Sequence, residues 1–125
     1  MREYPQVRQL EDEGPRRWFG DQDLELIVWY GRDAPSTIVG FQLCYDKRQD
    51  EHALTWRLGG SVSHHRVDTG DGLPKANRTP ILVADGPLPL MRLTDRFREA
   101  SAAIDPAIRA FVLGRLGELD PKDIR

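Results

Sequence analysis

Apolar and polar residues alternate with a period of two along most of the first two thirds of the chain. Leu24, Leu26, Val28 and Tyr30 interleave with Glu25, Ile27 and Trp29. This predicts a strand, and a central one, because its second face also turns apolar toward the end. Val39, Phe41, Leu43 and Tyr45 form the next face, set against Ile38, Gln42 and Cys44. His52, Leu54, Trp56 and Leu58 form a third, and Val62 to Asp68 returns as a fourth strand. Arg16 to Gly20 predicts a short edge strand, and Ile81 to Ala84 a last one. Gly31 to Ser36 carries turn chemistry, residues 46–50 make a charged turn, and Gly59-Gly60 is a two-residue hairpin signal. The order predicts an antiparallel meander.

The period then changes. Leu90, Leu93, Phe97, Ala100 and Ile104 recur at steps of three and four, one apolar stripe of a helix entered through Pro87 or Pro89. Asp105-Pro106 reads as an N-cap followed by proline at the first helical position, so it closes one helix and opens another. The second helix carries Ile108, Phe111, Val112, Leu116 and Leu119, with Gly114 and Gly117 weakening its end. Between sheet and helices, residues 68–80 form a polar loop with glycine and proline, the segment expected to move most. The fold class is therefore α+β: an antiparallel meander of five to six strands followed by two C-terminal helices packed on the sheet. One domain spans residues 1–125, with an arm over 1–15, the sheet over 16–85 and the helices over 87–119.

Charge narrows the function classes. Eighteen Lys and Arg against 20 Asp and Glu give a formal charge of −2, which argues against a general nucleic-acid binder. Neither half of the chain is a basic or acidic tail. The first 14 residues lack an apolar segment of the secretory type, and the longest apolar run, Leu26 to Tyr30, is far below the roughly 20 residues that span a bilayer. The single cysteine fits a reducing compartment. A cytoplasmic protein with no membrane partner is expected.

The histidines are the sharpest chemical signal. A two-residue turn at Gly59-Gly60 sets Leu58 opposite Ser61, Leu54 opposite His65 and His52 opposite Val67. His52 and His65 then share a face as diagonal neighbours about 7 Å apart, a spacing at which two imidazoles can hold a divalent metal. The third ligand would come from Glu51, Asp68 or Asp71, at no recognised metal spacing, and partly exposed histidines packed over Trp56 are the favoured reading. A slip of one residue would undo the pairing. On the other face His64, Arg66 and Asp68 fall in one row: imidazole, guanidinium and carboxylate, the parts of an acid/base site for an anionic substrate. His65 beside them completes the catalytic candidates. Cys44 sits inside a strand, away from any helix start that would activate it. Neither a phosphate loop nor a nucleotide fingerprint is present, and no cofactor is expected.

Aromatic residues suggest binding. Trp18, Trp29, Tyr30, Phe41, Tyr45 and Trp56 lie in the sheet region, near Arg16, Arg17 and Arg57. Trp18, Trp56 and Arg57 are the ligand candidates, since aromatics beside arginines hold planar ligands or single strands. The apolar second face of Leu24 to Tyr30 needs a cover, and a second copy of the chain would serve.

Arg17-Trp18-Phe19, Asp23-Leu24, Val28-Trp29, the run Gly40-Phe41-Gln42-Leu43-Cys44-Tyr45-Asp46 and Thr79-Pro80-Ile81-Leu82 together resemble small uncharacterised bacterial proteins. The resemblance covers residues 16–85; it implies no activity and supplies no catalytic residue. The leading reading is a non-catalytic cytosolic binding or interaction module, working as a homodimer or on another protein. Its rivals are a small metal-binding or acid/base enzyme using His52, His64, His65 and Asp68, and a single-strand binder using the sheet aromatics and arginines.

Overall fold

A computed structural model of the chain describes residues 1–5, 7–9, 13–68, 81–84, 88–120 and 124, with 68 and 81–84 described by their backbone. Among them run β1 (Arg2–Glu3), β2 (Arg16–Gly20), β3 (Glu25–Tyr30), β4 (Ile38–Tyr45), β5 (His52–Arg57), β6 (Ser61–Asp68) and β7 (Ile81–Ala84). They form one antiparallel sheet in chain order, followed by α1 (Leu90–Ala100) and α2 (Pro106–Glu118). The expected α+β meander with two following helices is the fold. Its extra strand is β1, a two-residue piece of the arm that pairs Arg2 with Gly20 and Glu3 with Phe19. Most of the loop expected over 68–80 lies outside the described residues. Among the described residues no helix is long and apolar enough to cross a membrane.

The registers sort side chains onto two faces. Phe19, Leu26, Leu43 and Leu54 align across four strands, and Val28, Phe41 and Trp56 across three. All are buried, in one cluster with Leu93 and Phe97 of α1 and Ile108, Val112 and Leu116 of α2. Each fully buried side chain of this size contributes about 1.5–3 kcal/mol relative to exposure. The helices thus cover this face. Their placement is fixed at the ends: Asp105 Oδ1 accepts the Ala107 N–H at 2.8 Å and Pro106 opens α2, as the sequence predicts. Arg17 ties β2 to β1 and to the start of α2, donating to Glu3 at 2.6 and 2.8 Å and to Asp105 at 3.0 Å. Arg92 of α1 makes a two-pronged bond to Asp46, at 3.0 and 3.1 Å. The stripe of α1 stops one turn earlier than its periodicity suggests: the helix ends at Ala100, and Ile104 reaches the core from the connection.

The β5–β6 hairpin departs from expectation. Its loop has three residues, Leu58-Gly59-Gly60, closed by Arg57 opposite Ser61, with φ of +103° at Gly59 and +95° at Gly60. Leu58 does not continue the strand; it is 63% exposed. The hydrophobic pattern gives the reason. This register lays Val62 against Trp56 on the covered face and turns Ser61 and Ser63 outward, whereas the two-residue turn would bury the serines and expose Val62.

Candidate functional site

The one-residue change in the hairpin re-sorts the histidines. His52 lies opposite Arg66 and Leu54 opposite His64, so His52 shares its face with His64, and His65 points to the other side. The expected His52–His65 pair is therefore not formed. Among the described residues no group of three or more His, Cys, Asp or Glu side chains could hold a metal ion. His64, Arg66 and Asp68 do occupy alternate positions of β6, but His64 faces the covered side. His64 is 4% exposed, and Arg66 is exposed at its rim.

What the structure assembles instead is a stack of three rings. His52 and His64 are nearly parallel with centroids 5.2 Å apart, and Tyr45 stacks on both, at 5.6 and 5.9 Å. The Tyr45 hydroxyl and His64 Nε2 share a hydrogen bond of 2.5 Å, and His52 Nδ1 lies 2.8 Å from the Asp50 carbonyl. Arg92 sits over the Tyr45 ring at 5.7 Å while it holds Asp46. Its guanidinium keeps the Asp46 carboxyl below the usual range. Burial of His64 makes this stack part of the core wall under α1.

The sheet's other face, which neither helix covers among the described residues, carries a different constellation. Three cross-strand rows run over it: Arg16, Trp29, Gly40, Arg57 and Ser61; Trp18, Ile27, Gln42, Thr55 and Ser63; and Gly20, Glu25, Cys44, Ala53 and His65. The middle row is knitted by a Gln42-to-Thr55 side-chain bond of 3.0 Å. Two buried ring nitrogens on this face, Trp18 Nε1 and His65 Nδ1, have no hydrogen-bond partner among the described residues. Cys44 is buried in the third row, and its thiol is pushed up to about 12 by burial and then by the nearby Glu51 and Glu25 carboxylates. It is a packing residue, as the sequence suggests, and a poor nucleophile.

The first row builds a cleft of about 510 Å³, lined by Arg16, Trp29, Tyr30, Arg32, Arg57 and Glu13 among others. Gly40 makes room for it. A Cβ there would stand 3.1 Å from Trp29 Cε3 and 3.0 Å from the Trp56 carbonyl oxygen. With no side chain in the way, the Arg57 guanidinium reaches across β4 to lie 4.7 Å from the Trp29 ring centroid, a cation–π contact. Arg16 flanks the tryptophan from β2, positioned by its Nε bond to the Arg8 carbonyl at 2.7 Å. Arg32 enters from the β3–β4 loop, which folds back through the Gly31 N–H to Thr37 and Thr37 N–H to Ala34 bonds.

Three of the arginines that contact no carboxylate among the described residues lie together at this cleft. Arg17, Arg48, Arg92, Arg96, Arg98 and Arg115 each contact a carboxylate. Among the described residues Arg16, Arg32 and Arg57 contact none, and Glu13 is the one acid lining the cleft.

The sequence-derived ligand trio is thus divided. Trp18 and Arg57 share the uncovered face, but Trp56 is on the covered face, 8% exposed and edge-on to Phe111 of α2. A single-strand platform made of all three does not form. Arg32 and Gly40 went unread: the first sits in a loop legible only as a turn, and the second matters through the side chain it lacks. Comparison of the chain with protein-family models, with curated proteins and with solved structures finds no match.

Proposed function

We propose that the protein is a non-catalytic binding module that holds a small ligand against its uncovered sheet face, at the Trp29 end. One observation carries the reading: Arg16, Trp29 and Arg57 fall side by side on three strands, around a glycine, and line a cleft with Arg32. At about 510 Å³ the cleft is within the roughly 300–1,000 Å³ range of small-molecule sites. The single buried cysteine suits a reducing, cytoplasmic setting.

A second reading, a small acid/base enzyme, draws on the Tyr45–His64 bond and the His52 ring beside it. One experiment weighs both. Amide-resolved NMR of the full chain against a mixed small-molecule library should give shifts clustered at Arg16, Trp29, Arg32 and Arg57. Shifts centred on Tyr45, His52 and His64 would favour the enzyme, and no shifts at the cleft would remove the module reading. Sedimentation equilibrium addresses the remaining occupant of the face, a second copy of the chain: a monomer across the accessible concentrations leaves the face to a ligand.

A further inference from the structure

We infer that the cleft takes a small phosphate monoester bearing a planar ring. The inference rests on the binding-module reading and adds the ligand's chemistry to it. Among the described residues three guanidiniums face one carboxylate in the cleft, an excess of two positive charges. A phosphate monoester supplies about −1.5 to −2 at neutral pH, whereas a carboxylic acid supplies one. Guanidinium forks also match phosphate oxygens in geometry, two N–H donors to two oxygens. Arg57 and Arg16 come from rigid strands on either side of Trp29, while Arg32 comes from a loop and can close on the anion.

The ring follows from the rest of the wall. The cleft is far larger than a bare oxyanion requires, and its remaining lining includes Trp29 and Val39, an aromatic and an aliphatic side chain. A flat ring covers such a wall at low entropic cost and stacks on the guanidinium and indole planes. The Trp29 indole lies close over Gly40 with the Arg57 guanidinium against its ring, so the stacking surface is present before a ligand arrives.

The test titrates the full chain, by calorimetry and by tryptophan fluorescence, with phenyl phosphate and adenosine 5′-monophosphate, and with adenosine and inorganic phosphate as their halves. The phosphorylated ring compounds should bind about tenfold or more tighter than either half, and more weakly as salt rises. Arg57→Gln and Arg32→Gln should each weaken them about tenfold. Arg32 is exposed and makes no side-chain bond among the described residues, so its variant reports on the ligand even if the Arg57 variant disturbs the sheet. Equal binding of adenosine and its monophosphate, or of phosphate and phenyl phosphate, would overturn the inference, as would unchanged affinity in both variants. If the phosphorylated probes fail while other compounds shift the cleft resonances, the ligand class is wrong and the module stands. If nothing shifts them, both fall.

Discussion

The Tyr45 hydroxyl and the His64 imidazole meet through a 2.5 Å hydrogen bond between two rings only 6° from parallel. The pair comes from strands that are not neighbours: β5 lies between β4 and β6, and its His52 ring fills the space beside both. A buried imidazole that loses a partner bears the desolvation cost of the exposed lone pair or N–H. Tyr45→Phe should therefore destabilise the fold by about 1–3 kcal/mol, read as a lower urea midpoint at unchanged slope. A neutral substitution would mean that His64 is held by other groups.

The three-residue loop at 58–60 has its own signature. Leu58→Ser should change stability by no more than about 0.5 kcal/mol, because Leu58 is in solvent. Val62→Ser, opposite Trp56 on the covered face, should cost about 1–3 kcal/mol. A reversed ranking would restore the two-residue turn, and with it the His52–His65 pairing.

Gly40→Ala tests the packing beneath the Trp29 indole. The new methyl group would press on the Trp56 carbonyl and on Trp29 Cε3, at 3.0 and 3.1 Å. Overpacking of this kind costs about 1–3 kcal/mol, and here the indole is the group free to give way. A loss of stability together with a changed Trp29 emission is expected. Unchanged emission would separate Trp29 from Gly40.

How much of this was legible beforehand differs by level. Alternation at 24–30 and 38–45, and the Asp105-Pro106 cap, give the strands and the second helix because each signal is local. The site was harder. Which face His64 or Trp56 occupies depends on one residue of loop length at Leu58-Gly59-Gly60, since a period of two inverts with every single step. The Arg16–Trp29–Arg57 row depends on three registers at once, including the irregularity between Trp29 and Tyr30. No spacing in the sequence encodes that product.

Cys44 should resist thiol reagents. At pH 8 the folded protein is expected to react with Ellman's reagent far more slowly than the protein in urea. The thiol's raised value also sets a pH dependence. Above about pH 9.0 the unfolded chain gives up the proton while the folded chain keeps it, so stability falls toward pH 12. The slope attributable to this group is about 1.4 kcal/mol per pH unit. Cys44→Ala should remove that part of the alkaline slope, and an identical slope in the variant would count against burial as its cause.

Arg17 sets the acid side. It holds the Glu3 carboxyl, and that of Asp105, below their ordinary ranges by direct hydrogen bonds. As pH falls through the unfolded values of 4.5 and 3.8, the unfolded chain takes up protons before the folded one, and this stabilisation is lost. Arg17→Gln should move the acid-unfolding midpoint to higher pH and flatten its dependence on salt. An unmoved midpoint would mean that these surface pairs contribute nothing measurable.

The strand order has a consequence for how the chain is made. Because every strand pairs with its sequence neighbours, the sheet can grow hairpin by hairpin as the ribosome releases it, without waiting for distant segments. Its covers emerge last. Until residues 90–118 are synthesised, Phe19, Leu26, Phe41, Leu43 and Leu54 form a bare apolar surface on a nascent sheet. Ribosomes stalled before α1 should therefore display a chain that recruits holdase chaperones, and those stalled after α2 one that does not.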